Sequence, residues 1–374
     1  MCCPRLASVK GIPVVVKERV FVAVPALVPT GPVKGAIALA NAIARERRVT
    51  FVTLKAGPGA DAPLDRAIDH VCLAGTGGGI WGKVRAYRTL LGDAAGPRAV
   101  ASISSCFSAD MVNRLCRREA VICASVRGNL MVNYKFDYGL AGVGLAMVHL
   151  RALKSFDLTV AMTRSMANQI RRFTGTEPAI VGNFIDETEL AGVRQKPLTD
   201  PELRFVFLGS LTPRKQPLLV LHAIRMLRAN GHNVTVDFIG EGPLLKIVFA
   251  EIRKHGLTDA VRLHGQVARP GTLLAEADGL VLPSLSEGVP RAALEALYLG
   301  VPCVLRKVDG NAEFIEDGQN GKLFFLDDEL PGAMLAAAKL SRSRVDTMRP
   351  VLLPEKFRQH IAAQEYLRLV DSVE

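Results

Sequence analysis

Residues 279–305, GLVLPSLSEGVPRAALEALYLGVPCVL, constrain what this chain can fold into more than any other stretch. Leu280, Val281 and Leu282 form an apolar run suited to the end of a buried strand. Pro283, Ser284 and Ser286 break the pattern, and Glu287-Gly288-Val289-Pro290 reads as a tight loop. After it, Ala292, Ala293, Leu294, Ala296 and Leu297 give a broad apolar helical face. Pro290 fits the first helical turn, where no backbone N–H is needed. Gly300-Val301-Pro302 ends the helix and leads into another strand. The unit is strand–loop–helix–strand, with its loop at the carboxyl end of a strand, where open α/β sheets bind ligands.

That loop carries two carboxylates, Glu287 just before the helix and Glu295 about one turn inside it. Free amides across residues 288–291, at the start of the helix, would favour an anion such as a diphosphate. Carboxylates that accept hydroxyl protons, beside amides that hold phosphate, suit a sugar nucleotide. From spacing alone, a solvated helix Glu and a Glu favoured by the helix dipole fit equally well.

Length and charge narrow the classes. At 374 residues the chain exceeds one ordinary core, so two domains are expected. Of the net +11, residues 1–190 contribute +10 (24 Lys+Arg against 14 Asp+Glu) and the remainder +1. A basic first half fits an anionic membrane, an anionic substrate or nucleic acid. There is no zinc-type cysteine spacing, RNA-binding aromatic motif or long Lys/Arg tract, which disfavours nucleic acid. Seven cysteines with no C-x-x-C pair predict free thiols in a reducing, cytoplasmic setting. Cys2-Cys3 reads as incidental, though lipid modification is open to such a pair. The longest weak candidate for a membrane span, residues 139–150, is too short. The N-terminal apolar region contains Lys10, Lys17, Glu18 and Arg19 and makes a poor signal peptide. A soluble or peripheral protein is expected.

Residues 19–24, a glycine-bearing loop over 29–35, a helix over 36–45 and a strand over 49–54 make a βαβ opening. The loop is not G-x-G-x-x-G, which disfavours a dinucleotide cofactor. Gly75 to Gly79 form a flexible loop. Trp81, Lys83, Arg85 and Arg88 follow on a basic, partly apolar helix that suits either an anionic membrane surface or an ordinary exposed face. Strands are expected over 99–104 and 120–125, the second ending at Val126-Arg127-Gly128-Asn129. A strand over 156–163 leads into a helix from Arg164.

In the second half, a polar linker over 196–202 precedes a strand over 205–208, the loop Gly209 to Lys215 and a helix from Pro217. A strand over 234–240 ends in Gly240-Glu241-Gly242-Pro243, and another over 261–267 contains His264, read as structural. Asp327-Asp328-Glu329 reads as a solvated acidic turn and not a metal site. An amphipathic helix over 357–370 closes the chain.

The pattern S-x-x-E-G-x-P-x-x-x-L-E-A-x-x-x-G-x-P, here Ser284, Glu287, Gly288, Pro290, Leu294, Glu295, Ala296, Gly300 and Pro302, resembles the E-x7-E signature of family-4-type retaining glycosyltransferases (glycosyl transferases group 1). The resemblance is strongest over residues 200–325 and implies the GT-B fold, an α/β architecture of two Rossmann-like domains facing a cleft. On this reading residues 1–190 form an acceptor-binding domain, residues 191–354 a nucleotide-sugar-binding domain, and the helix over 355–374 packs back on the first. It implies a UDP- or GDP-sugar donor, no cofactor and no metal. Retention is implied too, with the leaving phosphate taking the acceptor's proton on the same face of the sugar.

The implied roles fall residue by residue. Lys215, with Arg214, stabilises the diphosphate; Ser210 stands where the family has an Arg, and Arg214 is the candidate replacement. Glu287 positions the transferred sugar, and Glu295 holds the ribose. Gly209, Ser210, Gly288 and Val289 line the donor site, with Gly265 and Gln266 at the base. Lys34 and Gly35 face the acceptor. The family often has a histidine near 120–136; none occurs here, and Arg127 and Asn129 are the acceptor-side candidates instead. Val181 to Asp186 resembles the family's N-x-[IV]-D junction segment. The acceptor that fits a basic first domain is a lipid-linked glycan intermediate in cell-surface polysaccharide synthesis, at the cytoplasmic membrane face. Two alternatives stay open: a sugar-nucleotide epimerase, which the intact E-x7-E pattern disfavours, and a non-catalytic GT-B subunit that binds a partner glycosyltransferase, motivated by Ser210 and the missing histidine.

Overall fold

The computed structural model describes residues 16–373 except 29, 58–63, 97, 194–200, 309 and 344–348. Cys2, Cys3, Lys10 and most of the linker predicted over 196–202 lie outside the described residues. The first half contains β1 (Arg19–Val24), α1 (Gly31–Ile43), β2 (Arg48–Thr53), β3 (Asp69–Cys72), α2 (Gly79–Ala95), β4 (Ala101–Ser104), α3 (Phe107–Asn113), β5 (Val121–Val126), α4 (Leu130–Leu153), β6 (Leu158–Ala161), α5 (Arg164–Thr174) and β7 (Ala179–Ile180). The second contains β8 (Leu203–Leu208), α6 (Pro217–Ala229), β9 (Val234–Ile239), α7 (Leu245–Lys254), β10 (Val261–Gly265), α8 (Gly271–Ala275), β11 (Gly279–Leu282), α9 (Arg291–Tyr298), β12 (Cys303–Arg306), β13 (Gly321–Phe324), α10 (Leu330–Arg342) and α11 (Gln359–Asp371).

Two parallel sheets result, in the orders β3-β2-β1-β4-β5-β6-β7 and β10-β9-β8-β11-β12-β13. Sheets covered on both faces favour strands that are apolar at most positions. That is why VICASV of β5, VTVDFI of β9 and GLVL of β11 are buried at every position. In each sheet the chain reverses its direction of travel between the first strand and the fourth in the central pair, β1 beside β4 and β8 beside β11. The carboxyl ends of those neighbours open a crevice, the place where such sheets take ligands.

The sequence reading put a loop over 29–35, but α1 begins at Gly31. Thr30 is the extended N-cap and Pro32 sits in the first turn, where its fixed φ favours helix and its missing N–H costs nothing. Lys34 and Gly35 therefore lie inside α1. Pro290 shifts the other way: it is the N-cap of α9, extended at ψ 123, not a first-turn residue. α4 contains a break at Gly139 (φ 62, ψ −144), and Phe136, Tyr138 and Leu140 around it are exposed. Across the break, Tyr134 Oη meets His149 Nδ1 at 2.8 Å, and His149 Nε2 meets Asp110 Oδ2 at 2.8 Å. Among the described residues no helix is long and apolar enough to cross a membrane.

α11 lies against α1 of the first half. Gln359 Nε2 donates to Ala38 O at 2.9 Å, the Tyr366 and Ser125 hydroxyls meet at 2.6 Å, and Asp371 Oδ1 accepts from Lys17 N at 2.8 Å. Direct bonds also join the two sheets' loops. Asn183 Nδ2 donates to Val289 O at 2.7 Å, and Arg164 N, at the start of α5, donates to Glu313 Oε1 at 2.8 Å.

Gly240 sets the spacing of the loops on the second sheet. Its N–H donates to Gly265 O at 2.7 Å, its φ is +134, and a Cβ there would overlap the Gly209 carbonyl. Gly240→Ala is expected to destabilise the protein by roughly 2 kcal/mol or more, through positive-φ strain and that overlap. Urea unfolding of the wild type and the variant measures it; equal midpoints would contradict the assignment.

Candidate active site

The second sheet's crevice is built by the loop after β8 and the loop after β11. The first turns through Pro213 to Lys215 and enters α6 with Gln216 in the left-handed region (φ 54, ψ 47). The second runs from Pro283 to the N-cap Pro290. Their backbones are tied together: Leu285 N donates to Arg214 O at 2.8 Å, and Arg214 Nη1 donates to Ser286 O at 2.6 Å.

Between them lies Glu287, only 8% exposed. Lys215 Nζ is hydrogen-bonded to Glu287 Oε1, and Arg214 Nη1 stands 3.7 Å from Oε2. Burial pushes the Glu287 carboxyl upward, but the charges of Lys215 and Arg214 more than offset it and hold the group below the ordinary carboxylate range. Glu287 is therefore ionised at neutral pH, fixed between two cations. The three residues that the sequence reading named for catalysis stand together in the structure.

Ser210, where the family pattern has an Arg, is exposed on the same loop. Gly209 lies beside the Lys215 side chain, where a Cβ would make ordinary van der Waals contact. Gly265 (φ 63) ends β10 with its carbonyl on Gly240 N, and Gln266 beyond it is exposed. Among the described residues the amides of Gly288 and Val289 have no protein acceptor. Pro290 has no N–H at all, so the amide cradle expected over 288–291 is interrupted at that position. Gly288 and Val289 are buried, with Gly288 beside the Arg127 carbonyl and Val289 O bonded to Asn183.

Glu295 faces the other half of the molecule. Arg291 Nη2 is 3.8 Å from its Oε1, and the Lys34 and Glu189 charges act on it. Here burial dominates and raises the carboxyl above the usual range despite Arg291 and Lys34. Of the acceptor-side candidates, Gly35 is buried where the Arg127 guanidinium packs against α1, and a Cβ there would overlap it. Asn129 is occupied differently: its Oδ1 caps α4 through Val132 N at 3.2 Å and accepts from Gln169 Nε2 at 2.7 Å. That oxygen is structural, because helix N-termini need an acceptor there. His264, read as structural without a visible partner, meets Asp237 Oδ1 at 2.6 Å. In the acidic turn, Asp327 is paired with Arg306 at 2.5 Å.

Two residues of the crevice were missed. Arg291 binds Phe184 O at 3.1 Å and neighbours Glu295; its position four before Glu295 on one helix face was a usable signal. Glu313 closes on the start of α5 from the other half, and nothing local in the sequence announces that partner. Among the described residues, no group of three His, Cys, Asp or Glu side chains is placed to hold a metal ion.

Glu287 and Glu295 should respond oppositely to neutralisation. A depressed carboxyl adds stability above the ordinary range and loses it as pH falls through the folded value; a raised one adds stability only at low pH and loses it as pH rises. At pH 7, Glu287→Gln should lower stability by roughly 1–3 kcal/mol, since it strands two cations. Glu295→Gln should raise Tm. The Glu287→Gln deficit should shrink as pH falls below about 4. Thermal melts from pH 3 to 8 test this; the same sign for both variants at pH 7 would refute it.

Comparison with known proteins places the fold and the second half of the chain. Residues 192–334 match the family of glycosyl transferases group 1. The chain is 28% identical over 174 residues to the glycogen synthase of Mycobacterium tuberculosis, covering 45% of this chain and 42% of that protein. It is 31% identical over 129 residues to the UDP-Gal:alpha-D-GlcNAc-diphosphoundecaprenol alpha-1,3-galactosyltransferase of Escherichia coli, covering 33% of each. The chain thus spans less than half the length of these relatives. The fold extends further: the Anabaena protein Alr3699/HepE, solved in complex with UDP and glucose, superposes over 96% of this chain and 100% of its own with a TM-score of 0.74 at 15% identity. Residues 192–334 are thus similar to the glycosyl transferases group 1 family, and the whole chain has the GT-B fold.

Proposed function

We propose that this chain is a retaining glycosyltransferase that moves a sugar from a nucleotide-sugar donor to a lipid-linked acceptor in polysaccharide synthesis. The observation that carries the reading is the Lys215–Glu287–Arg214 cluster at the crevice of the second sheet. Two cations against one carboxylate leave a net +1 beside the uncapped amides of Gly288 and Val289. That arrangement suits a diphosphate whose negative charge grows as the sugar leaves. Glu287, ionised and immobile, would accept hydrogen bonds from the sugar's hydroxyls, and Glu295 would hold the ribose.

In the transfer, the bond between the anomeric carbon and the diphosphate oxygen breaks and a bond to the acceptor oxygen forms on the same face. The acceptor's proton passes to the leaving phosphate. Arg214 and Lys215 supply the neutralising charge, so the scheme uses no metal and no side-chain base. Arg214 also answers the departure at Ser210: its guanidinium reaches Glu287 and Ser286 from the same loop. That weighs against a non-catalytic subunit.

Donor hydrolysis across a panel of UDP- and GDP-sugars tests the reading, with NMR of the released anomer. Slow hydrolysis with one nucleotide class and retained configuration is expected. Glu287→Ala and Lys215→Ala should each lower the rate by about 100-fold or more, the scale of a lost electrostatic partner at a developing charge. An inverted product, or no turnover with any donor, would overturn it.

The acceptor part of the proposal is supported by the first half's +10 charge and by an apolar, aromatic rim. Trp81 is 70% exposed at the start of α2, near Lys83 and Arg85, and Leu140 is 84% exposed at the break in α4. Both lie on helices that begin at the carboxyl end of the first sheet, the side of the crevice. Exposed aromatics beside basic residues suit a bilayer interface. Trp81 is the chain's single tryptophan, so its fluorescence reports the contact directly. A blue shift with anionic vesicles at low salt, reversed at about 0.5 M salt as charges are screened, is expected. No shift on any vesicle would remove the membrane from the proposal.

A further inference from the structure

Most guanidinium groups packed between elements in this fold have a carboxylate beside them. Arg306 pairs with Asp327, Arg342 with Asp278, Arg358 with Glu187 and Arg291 with Glu295. Arg127 does not. It stands just past the end of β5, at the crevice, with its guanidinium held against Gly35 of α1 and 5.5 Å from the centre of the Phe184 ring. Nη1 donates to Asn183 Oδ1 at 3.2 Å, and Nε is buried with no acceptor among the described residues. The charged or titratable groups acting on it are Tyr366, Arg291 and Cys106, none of them a carboxylate. Burial pulls its proton affinity below the ordinary arginine range, and Arg291 adds repulsion.

A cation kept this way is costly to the free protein, because removal from water is not repaid by an opposite charge. The surroundings nevertheless fix it. Gly35 leaves room for the planar group, the Phe184 ring flanks it, and the Asn183 amide holds Nη1 with its oxygen while its Nδ2 binds Val289 O of the donor loop. Such a planar, preorganised fork matches the oxygens of a phosphate. Donor charge is already answered on the second sheet by Arg214 and Lys215. Arg127 belongs to the first half, where α1 also presents the exposed Lys34.

We propose that Arg127 is the centre of a second anion subsite, one that binds the diphosphate of a lipid-linked acceptor. The proposal rests on the glycosyltransferase reading above and assigns the chemistry that reading leaves open on the acceptor side. The Asn183 side chain then joins the two subsites, since one amide touches both the Arg127 guanidinium and the loop that holds Gly288 and Val289.

Isothermal titration of the full chain with geranyl diphosphate, and separately with UDP and GDP, distinguishes an acceptor diphosphate from the donor's own. Arg127→Gln should weaken geranyl diphosphate by about tenfold or more, the scale of a lost charge-assisted hydrogen bond. Arg127→Lys, which keeps the charge without the fork, should recover part of that affinity. The loss should fall on geranyl diphosphate and not on the nucleoside diphosphates. Equal weakening of both ligand types would assign Arg127 to the donor and overturn the proposal, as would unchanged geranyl diphosphate binding in the Gln variant or no recovery with Lys. Near-UV circular dichroism of both variants checks that the fold persists. Failure here leaves donor turnover intact, whereas failure of the glycosyltransferase reading appears as no donor turnover in the wild type.

Discussion

The buried ion cluster of Glu287 with Lys215 and Arg214 is the interaction on which the crevice depends. A carboxylate as enclosed as Glu287 is tolerated only when opposite charge and hydrogen bonds replace the water it has lost. That requirement brings the loop after β8 against the loop after β11, the two strands that flank the reversal in the second sheet. The backbone bonds between Arg214 and residues 285 and 286 then fix the approach. Gln216 accepts a left-handed conformation next to Lys215, and backbone outliers of that kind persist where surrounding contacts over-determine them. The site's charges are therefore set before any ligand arrives, which is the condition for electrostatic stabilisation without reorganisation.

Much of this was legible locally. The order of strands and helices follows from apolar runs and turn residues, and the starts of α5 at Arg164 and α6 at Pro217 agree with the reading residue for residue. Lys215, Arg214 and Glu287 could be grouped because each lies in a loop at the end of an identifiable strand, and parallel sheets gather such loops on one side. Where the reading slipped, one residue type decided it. Pro32 starts α1 five residues early and carries Lys34 and Gly35 into the helix, while Pro290 stays outside α9 and removes an amide from the expected cradle.

What sequence could not supply were pairings between distant segments. Arg127 and Gly35, Asn183 and Val289, Arg164 and Glu313 belong to elements whose adjacency exists only once both sheets have formed. Asn129 illustrates the same limit. By position it is a crevice residue, but the unsatisfied amides at the start of α4 claim its oxygen, and Gln169 of α5 holds it there. The histidine missing from residues 120–136 is a related case. His149 does occur on α4, but both its nitrogens are engaged, by Asp110 and Tyr134, across the break at Gly139.

The charge arrangement explains what two cations on the loop after β8 achieve. With Lys215 alone, Glu287 would neutralise it and leave no net charge; with Arg214 added, the cluster keeps a net +1 and Glu287 remains ionised. Glu295 sits in the opposite balance. Burial outweighs its cations and holds its carboxyl high, so it is the more easily protonated of the two and the better suited to exchange hydrogen bonds with neutral hydroxyls. The same eight-residue spacing thus delivers two carboxylates in different electrostatic states, because one end lies between the loops of the second sheet and the other faces Lys34 and Arg291. An anion entering the crevice meets positive charge on the loop after β8 and, from the first half, at Arg127, which no carboxylate among the described residues neutralises.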